Sequence, residues 1–424
     1  MAKDDNDFTK GSIPRNILSM ALPMTLAQVI NLLYNIVDRI YIGRIPVEGT
    51  LALTGLGLTF PIITILSAFA NLFGMGGAPL CSIARGRKDN KRAGEIMRCS
   101  YTLLVITAVL LTIVCMIFMK PLLYAFGASD TIYPYARDYL QIYLLGTIFV
   151  LVSLGMNNFI NSQGVWKNGN DDDSVRRHCQ YYPGSDFYFC IHMGVRGAAI
   201  ATVISQGLSA VFALKFLSGP KAILKLNPKK FYFNGKLAKE ITSMGISGFT
   251  LAATNGAVQI VCNAQLQQFG GDLYIGVMTI LNSVRDILTM PVTGITNGAQ
   301  PVLGYNYGAG EFDRVKKSIK FMTFSCLVYT ALAWLCVILF PEIFHSHFQR
   351  KRRFDGSGNP GAAYLFLRIY FHDPAVFGTV HICGSWKGQT GHFFLHLQEN
   401  HHCRPAGYDS AIHRKSWCGR SLLV

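Results

Sequence analysis

Charge is scarce in this chain. Only 15% of its 424 residues are Asp, Glu, Lys or Arg, against 50% hydrophobic residues; a soluble domain usually carries about 25% charge. Whole stretches have none: no charged residue occurs across 17–37 or 49–84. A membrane span needs about 20 mostly apolar residues, so the composition excludes an ordinary soluble domain. Acid is the rarer sign, 23 Asp and Glu against 39 Lys and Arg, for a formal net charge of +16. In a membrane protein such an excess sits in cytoplasmic loops. No basic stretch is interleaved with stacking aromatics, which argues against a nucleic-acid partner. Histidine is missing from most of the chain: all 11 fall within 164–192 or 345–424. Cysteine spacing shows no disulfide framework. The first residues, MAKDDNDFTKGSIPRN, are polar and lack a cleavage site, so no cleavable signal peptide is expected.

What is present is a series of apolar segments. Eight are visible, at 17–37, 53–77, 101–119, 139–161, 197–214, 241–267, 273–304 and 321–341. Three short basic tracts separate them, at 84–98, 215–239 and 311–320. All three should be cytoplasmic. With a cytoplasmic N-terminus, the first follows two spans, as parity requires. The second follows only five, so one span is missing between 161 and 197.

That gap holds WKNGNDDDS, from Trp166 to Ser174. The tracts 164–192 and 344–424 also hold five of the 11 cysteines and three of the four tryptophans. A one-base shift of reading frame accounts for both, because Ile and Met codons begin AT and misread as His, Tyr, Asn or Asp. Shifted one base, the codons of Asn170 to Asp173 allow Met or Thr, and the whole tract can read as an apolar span. The shift in the first tract is repaired near 190–192. The second is not repaired before Val424. DDDS lacks the alternating oxygens and closing Glu of a Ca²⁺ loop. HFFLHLQENHHC, at 392–403, has i, i+4 histidines with a cysteine, but misread codons account for them, and no metal site is expected.

The chain repeats at an offset of 222. PLCSIARGRKDNKR parallels PVLGYNYGAGEFDR, matching Pro79 with Pro301, Gly86 with Gly308 and Arg92 with Arg314. Repeated bundles around a polar centre are a transporter pattern. In this order, LPMTLAQVINLLYNIVDRIYIG, NLFGMGGAPLCSIARGRKD, MGVRGAAIATVISQ and GAQPVLGYNYGAG resemble the multidrug and toxic compound extrusion family, in its bacterial drug-export and DNA-damage-inducible branches. The resemblance covers 10–163 and 193–343. It implies an all-α polytopic membrane protein with twelve helices in two pseudo-symmetric lobes, and export of cationic, amphipathic compounds against inward H⁺ or Na⁺. The expected organisation is four helices over 1–163, an anomalous tract at 164–192 in place of helix five, and helix six over 193–216. A basic inter-lobe loop at 217–240, helices seven to nine over 241–343 and an out-of-frame tail at 344–424 follow. About eight helices are intact.

The resemblance makes Asp38, in YNIVDRIYIG, the acidic residue of the first helix and the ion-coupling candidate. An ionisable group inside a span is a functional candidate by default, since a desolvated carboxylate has a tunable pKa. The plainer reading is that Asp38 marks the outer end of its span and pairs with Arg39. Tyr34 and Asn35 share its helical face. With Asn157, Asn255 and Gln259 they are substrate-cavity candidates, and helix–helix hydrogen bonding is their alternative. Asn158, Asn161, Arg285 and Asp286 carry the same ambiguity. The family's helix five supplies an Asn and an Asp that network with the first-helix acid, and both positions fall in 164–192. Coupling by this chain is therefore expected to be impaired.

The expected protein is a monomeric, multi-pass transporter of the bacterial cytoplasmic membrane. Its partners are cationic small molecules and the lipid bilayer, with no cofactor beyond the coupling ion. A lipid-linked saccharide flippase is one alternative, though it would favour an Arg-rich cavity. A membrane-anchored metal-binding sensor using the His-rich tail is the other. No nucleophile–base or metal-ligand set stands in the authentic tracts, so an enzyme is not expected.

Overall fold

The computed structural model describes residues 7–26, 49–126, 128, 130, 132–164, 194–220 and 222–339. Among these the regular elements are all helices. We number them α1 (13–26), α2 (Gly49–Gly86), α3 (Asn90–Ile117), α4 (Met119–Ala125), α5 (Tyr133–Leu145), α6 (Thr147–Ser162), α7 (Gly194–Ser218), α8 (Gly235–Gly308) and α9 (Phe312–Leu339).

Three described stretches are helical, long and apolar enough to cross a membrane: 57–86, 90–117 and 199–218. The span expected over 139–161 differs. It is two helices, α5 and α6, bent by 57° at Gly146. Gly146 caps both helices at the break, and packing there requires glycine. Val203 of α7 lies where a side chain on residue 146 would stand, with its methyls 2.6–2.7 Å from that point. An apolar run gives no warning of such a break.

The outer faces are apolar as well. Ile106, Val109, Leu110, Ile113 and Ile117 form one exposed stripe on α3. Phe324, Leu327, Val328, Leu332 and Leu335 form its counterpart on α9. Apolar faces of this extent suit hydrocarbon rather than water.

The 74-residue α8 joins what the sequence separates into spans at 241–267 and 273–304. At ~1.5 Å per residue it would be roughly 110 Å long if straight. Yet Ile241 and Gly245, near its start, pack on Leu72 and Gly76 of α2, and Tyr305 and Gly308, at its end, pack on Ile83 and Gly86. Both ends lie on one short stretch of α2, so α8 doubles back between them. It also begins within the expected inter-lobe loop at 217–240, because the Asn234 side chain accepts from the amides of Lys236 and Leu237 and caps it.

The two halves share their register. α1 and α8 begin at 13 and 235, α2 and α8 end at 86 and 308, and α3 and α9 begin at 90 and 312. Each pair is 222 residues apart, the offset of the sequence repeat. The cores are exchanged, however. Ile13, Ile17, Met20 and Met24 of α1 are buried with Val292, Val302, Val315 and Met322 of the second half. Leu237 and Ile241 of α8 are buried with α2, α3 and α6 of the first. Each half sends the start of its leading helix into the other.

Candidate functional site

The site built most fully is the crossing of α2 and α8 beside the basic loops. It rests on glycine. A methyl on Gly86 would collide with the carbonyl oxygen of Tyr305, and one on Gly308 with that of Ile83. Ile83 and Tyr305 are themselves 222 apart, so the contact is a pseudo-twofold one. Gly304 sits against the side chain of Ser82, another pair related by the offset. Only glycine allows backbones this close. The turns beyond match too. Amides of Arg87, Lys88 and Asp89 donate to carbonyls of Ile83, Arg85 and Ala84 at 3.0, 2.9 and 2.9 Å. Amides of Ala309, Gly310 and Glu311 donate to Tyr305, Tyr307 and Asn306 at 2.9, 3.1 and 3.0 Å. Lys88 and Gly310 hold the same left-handed position, with φ of 61° and 81°.

Side chains lock the crossing. Arg85 is 6% exposed; it donates to the Ser162 carbonyl at 2.7 Å and stands over the Tyr305 ring at 5.7 Å. This guanidinium joins the end of α6 in the first half to α8 in the second. Phe8 is fully buried. Its ring meets Tyr305 edge-on at 5.7 Å and fills the space beside Gly164. Arg314 donates to the carbonyls of Phe8 and Gly11 at 3.1 and 3.0 Å and to Oδ1 of Asn306 at 3.1 Å. Asn16 donates to the Lys10 carbonyl at 2.9 Å. Residues 8–11, which lead into α1, are thus held on the second half.

The counterpart before α8 docks on the first half. The Tyr232 amide donates to the Thr102 hydroxyl at 3.1 Å, Phe231 stacks on Tyr101 at 5.9 Å, and Arg98 stands over Tyr232 at 5.5 Å. Arg92 pairs with Glu240 at 3.1 Å, with both side chains about half exposed. Just before residues 8–11, burial works against the charged form of Asp7. The Thr9 hydroxyl and amide and the Lys10 charge outweigh it, so its carboxyl titrates below the ordinary carboxylate range.

The residues expected from sequence fare unequally. Asn157 on α6 and Asn255 on α8 are exposed, and neither makes a side-chain hydrogen bond among the described residues. Asn158 donates to the Leu154 carbonyl at 3.1 Å and lies against Gly74 of α2, which is helix packing. Tyr34, Asn35 and Asp38, and the side chains of Gln259, Arg285 and Asp286, lie outside the described residues. So do the tract from 165 to 193 and the tail from 340, with its histidines. No group of three or more metal-ligating side chains occurs among the described residues. Sequence reasoning missed Phe8, Arg85 and Tyr305. Phe8 lies in a polar stretch with no periodicity, and nothing local marks it as buried. Gly86, Gly308 and Arg314 were visible as repeat matches, though not their contacts.

The sequence matches the MatE family over residues 23–169 and 249–371. The first block stops within the 164–192 tract and the second within the 344–424 tail. Multidrug export protein MepA of Staphylococcus haemolyticus is 25% identical over 336 residues, which span 78% of this chain and 73% of that protein. MepA of Staphylococcus aureus (strain MSSA476) is 22% identical over 330 residues, 78% of this chain and 72% of that one. A ligand complex of the MATE multidrug transporter DinF-BH superposes with a TM-score of 0.78 at 26% identity, covering 91% of this chain and 85% of that chain. A MATE in complex with MaD3S has the same fold, with a TM-score of 0.75 at 18% identity over 93% of this chain and 87% of that chain. The chain belongs to the MatE family of multidrug and toxic compound extrusion transporters, which are multi-pass all-α membrane proteins and not enzymes.

Proposed function

We propose that this chain is a multidrug antiporter of the cytoplasmic membrane. It exports cationic, amphipathic compounds in exchange for H⁺ or Na⁺, as a monomer with its N-terminus in the cytoplasm. The observation that carries this reading is the glycine crossing of α2 and α8. It closes the molecule beside its basic loops, and Lys and Arg loops face the cytoplasm. A closed cytoplasmic side is one end of an alternating-access cycle. The relatives named as multidrug export proteins, and the multidrug transporter DinF-BH with its bound ligand, support the substrate class.

Asp38 is the proposed ion-coupling residue. Tyr34, Asn35, Asn157, Asn255 and Gln259 are the proposed cavity lining. An exposed Asn on a spanning helix is costly against lipid, and a wet cavity wall removes that cost for Asn157 and Asn255. Proton or sodium binding at Asp38 competes with the cationic drug for one negative charge, which is the condition for exchange.

Transport is proposed to be impaired in this form, since helix five and the segment after 343 are read out of frame. The test is ethidium transport in sealed vesicles under a pH or Na⁺ gradient. The 424-residue chain should match empty vesicles. A chain restored in both tracts should export, and Asp38→Asn in it should abolish export. Gradient-driven export by the unrestored chain overturns the impairment. Silence of the restored chain under both gradients overturns the antiporter reading. Stop codons in the alternate frame of the gene overturn the account of the tracts.

A further inference from the structure

We propose that residues 8–11 are a strap that holds the α2–α8 crossing shut, with Phe8 and Arg314 as positioning residues for the transport cycle. This rests on the transporter reading given above and assigns a part of its cycle to named side chains.

The strap is placed where it must give way. The Phe8 ring lies between Gly164, at the end of α6 in the first half, and Tyr305, on α8 in the second. The lips of the crossing are those same elements, because Arg85 ties Ser162 to Tyr305. When the halves part, Phe8 cannot keep both neighbours. Whichever half it follows, one face of a fully buried ring is uncovered. Arg314 makes the hold specific, since it grips the strap by two backbone carbonyls and braces itself on Asn306, which is itself buried. Backbone acceptors make the grip independent of the strap's side chains. A charged donor makes it stronger than a neutral one.

The counterpart segment before α8, residues 231–233, is a second strap but not an equivalent one. Phe231 and Phe233 remain 60% and 62% exposed, and Arg92 faces Glu240 at the surface instead of gripping backbone. The exposed pair contributes little, and the firmer contacts of Tyr232, with Thr102 and Arg98, lie on α3 of the first half and do not bridge the crossing. The first strap therefore carries the closure.

Alkylation reads this directly. Ser82 is buried against Gly304 in the crossing, and Ser82→Cys places a thiol there. Native Cys99, buried in the first-half core, reports general loosening in the same molecule. The full chain in detergent is treated with N-ethylmaleimide, and rates are read per peptide, with fragment ions separating 82 from Cys81. If the open form is a minor state of about 0.1–1%, Phe8→Ala and Arg314→Gln should each speed labelling at 82 about tenfold, with Cys99 still labelled far more slowly. Arg92→Gln should leave the rate at 82 alone. An unchanged rate at 82 overturns the proposal, and so does labelling at 82 no faster than at Cys99, which marks unfolding. The measurement needs no substrate or gradient, so it stands or falls apart from any failure of transport.

Discussion

Residues 82–92 and 304–314 follow the same backbone path with different side chains. Both helices end on a glycine pressed to a carbonyl, and both turns make the same three amide bonds. Ile83 and Tyr305 supply those carbonyls, but only Tyr305 adds a ring for Arg85 and Phe8 to meet. Ala84 is replaced by Asn306, which gives Arg314 an acceptor that Arg92 lacks. The repeat preserves what close backbone approach demands and leaves the rest free to diverge. A pseudo-symmetric frame can therefore carry a one-sided lock.

The largest expected effect tests the shared part. Gly86→Val and Gly308→Val each drive a side chain into a carbonyl of the partner helix. Because the obstructing atoms are backbone, the cost should reach or exceed the upper end of the roughly 1–3 kcal/mol typical of overpacking. The two variants should lower the melting temperature in detergent by similar amounts. Gly94→Ala, in open space on α3, should leave it unchanged or raise it. Unequal losses at 86 and 308 would break the symmetry argument.

The divergent part comes next. Arg314→Gln removes three charge-assisted bonds and should cost about 2–3 kcal/mol. Arg92→Gln loses a half-exposed pair and should cost under about 1 kcal/mol. Denaturant titration of both variants checks the ordering, and equal costs would erase the distinction drawn between the straps.

A smaller effect lies in the turns. Lys88 takes a left-handed φ where its counterpart is Gly310. That conformation costs a non-glycine residue about 1 kcal/mol. Lys88→Gly should be neutral to stabilising, and Gly310→Ala, which meets no neighbour, should destabilise by about 1 kcal/mol. Thermal unfolding of the pair reads the opposite signs.

The smallest effect is that of pH at Asp7, next to the first strap. The Asp7 carboxyl is held below its ordinary range. A lowered folded-state value means its contribution is present above the unfolded carboxylate pKa and is lost as pH falls through the folded one. Amide exchange at Thr9, corrected for intrinsic rates, should lose protection below about pH 4. The segment 231–233, without a carboxylate, should not change over that range.

The spans expected at 53–77, 101–119 and 197–214 were legible because hydrocarbon demands long uncharged runs, and the 222-residue repeat because proline and glycine recur where helices cross. The bend at Gly146 was not, since one glycine in an apolar run does not mark a break, and the neighbour packed on it, Val203, comes from nearly 60 residues away in sequence. Asn157 and Asn158 are adjacent and alike in composition. Only packing separates an exposed amide from one laid against Gly74.

The sequence by itself determined membrane residence, the register of the two halves and the basic face, because these follow from local apolar length, repeated motifs and loop charge. Only the tertiary structure decided that each half lends the start of its leading helix to the other. It alone turned Phe8, in a polar stretch, into the buried wedge of the crossing. Burial is a property of what surrounds a residue, and for Phe8 the surroundings come from residues 164, 305 and 314.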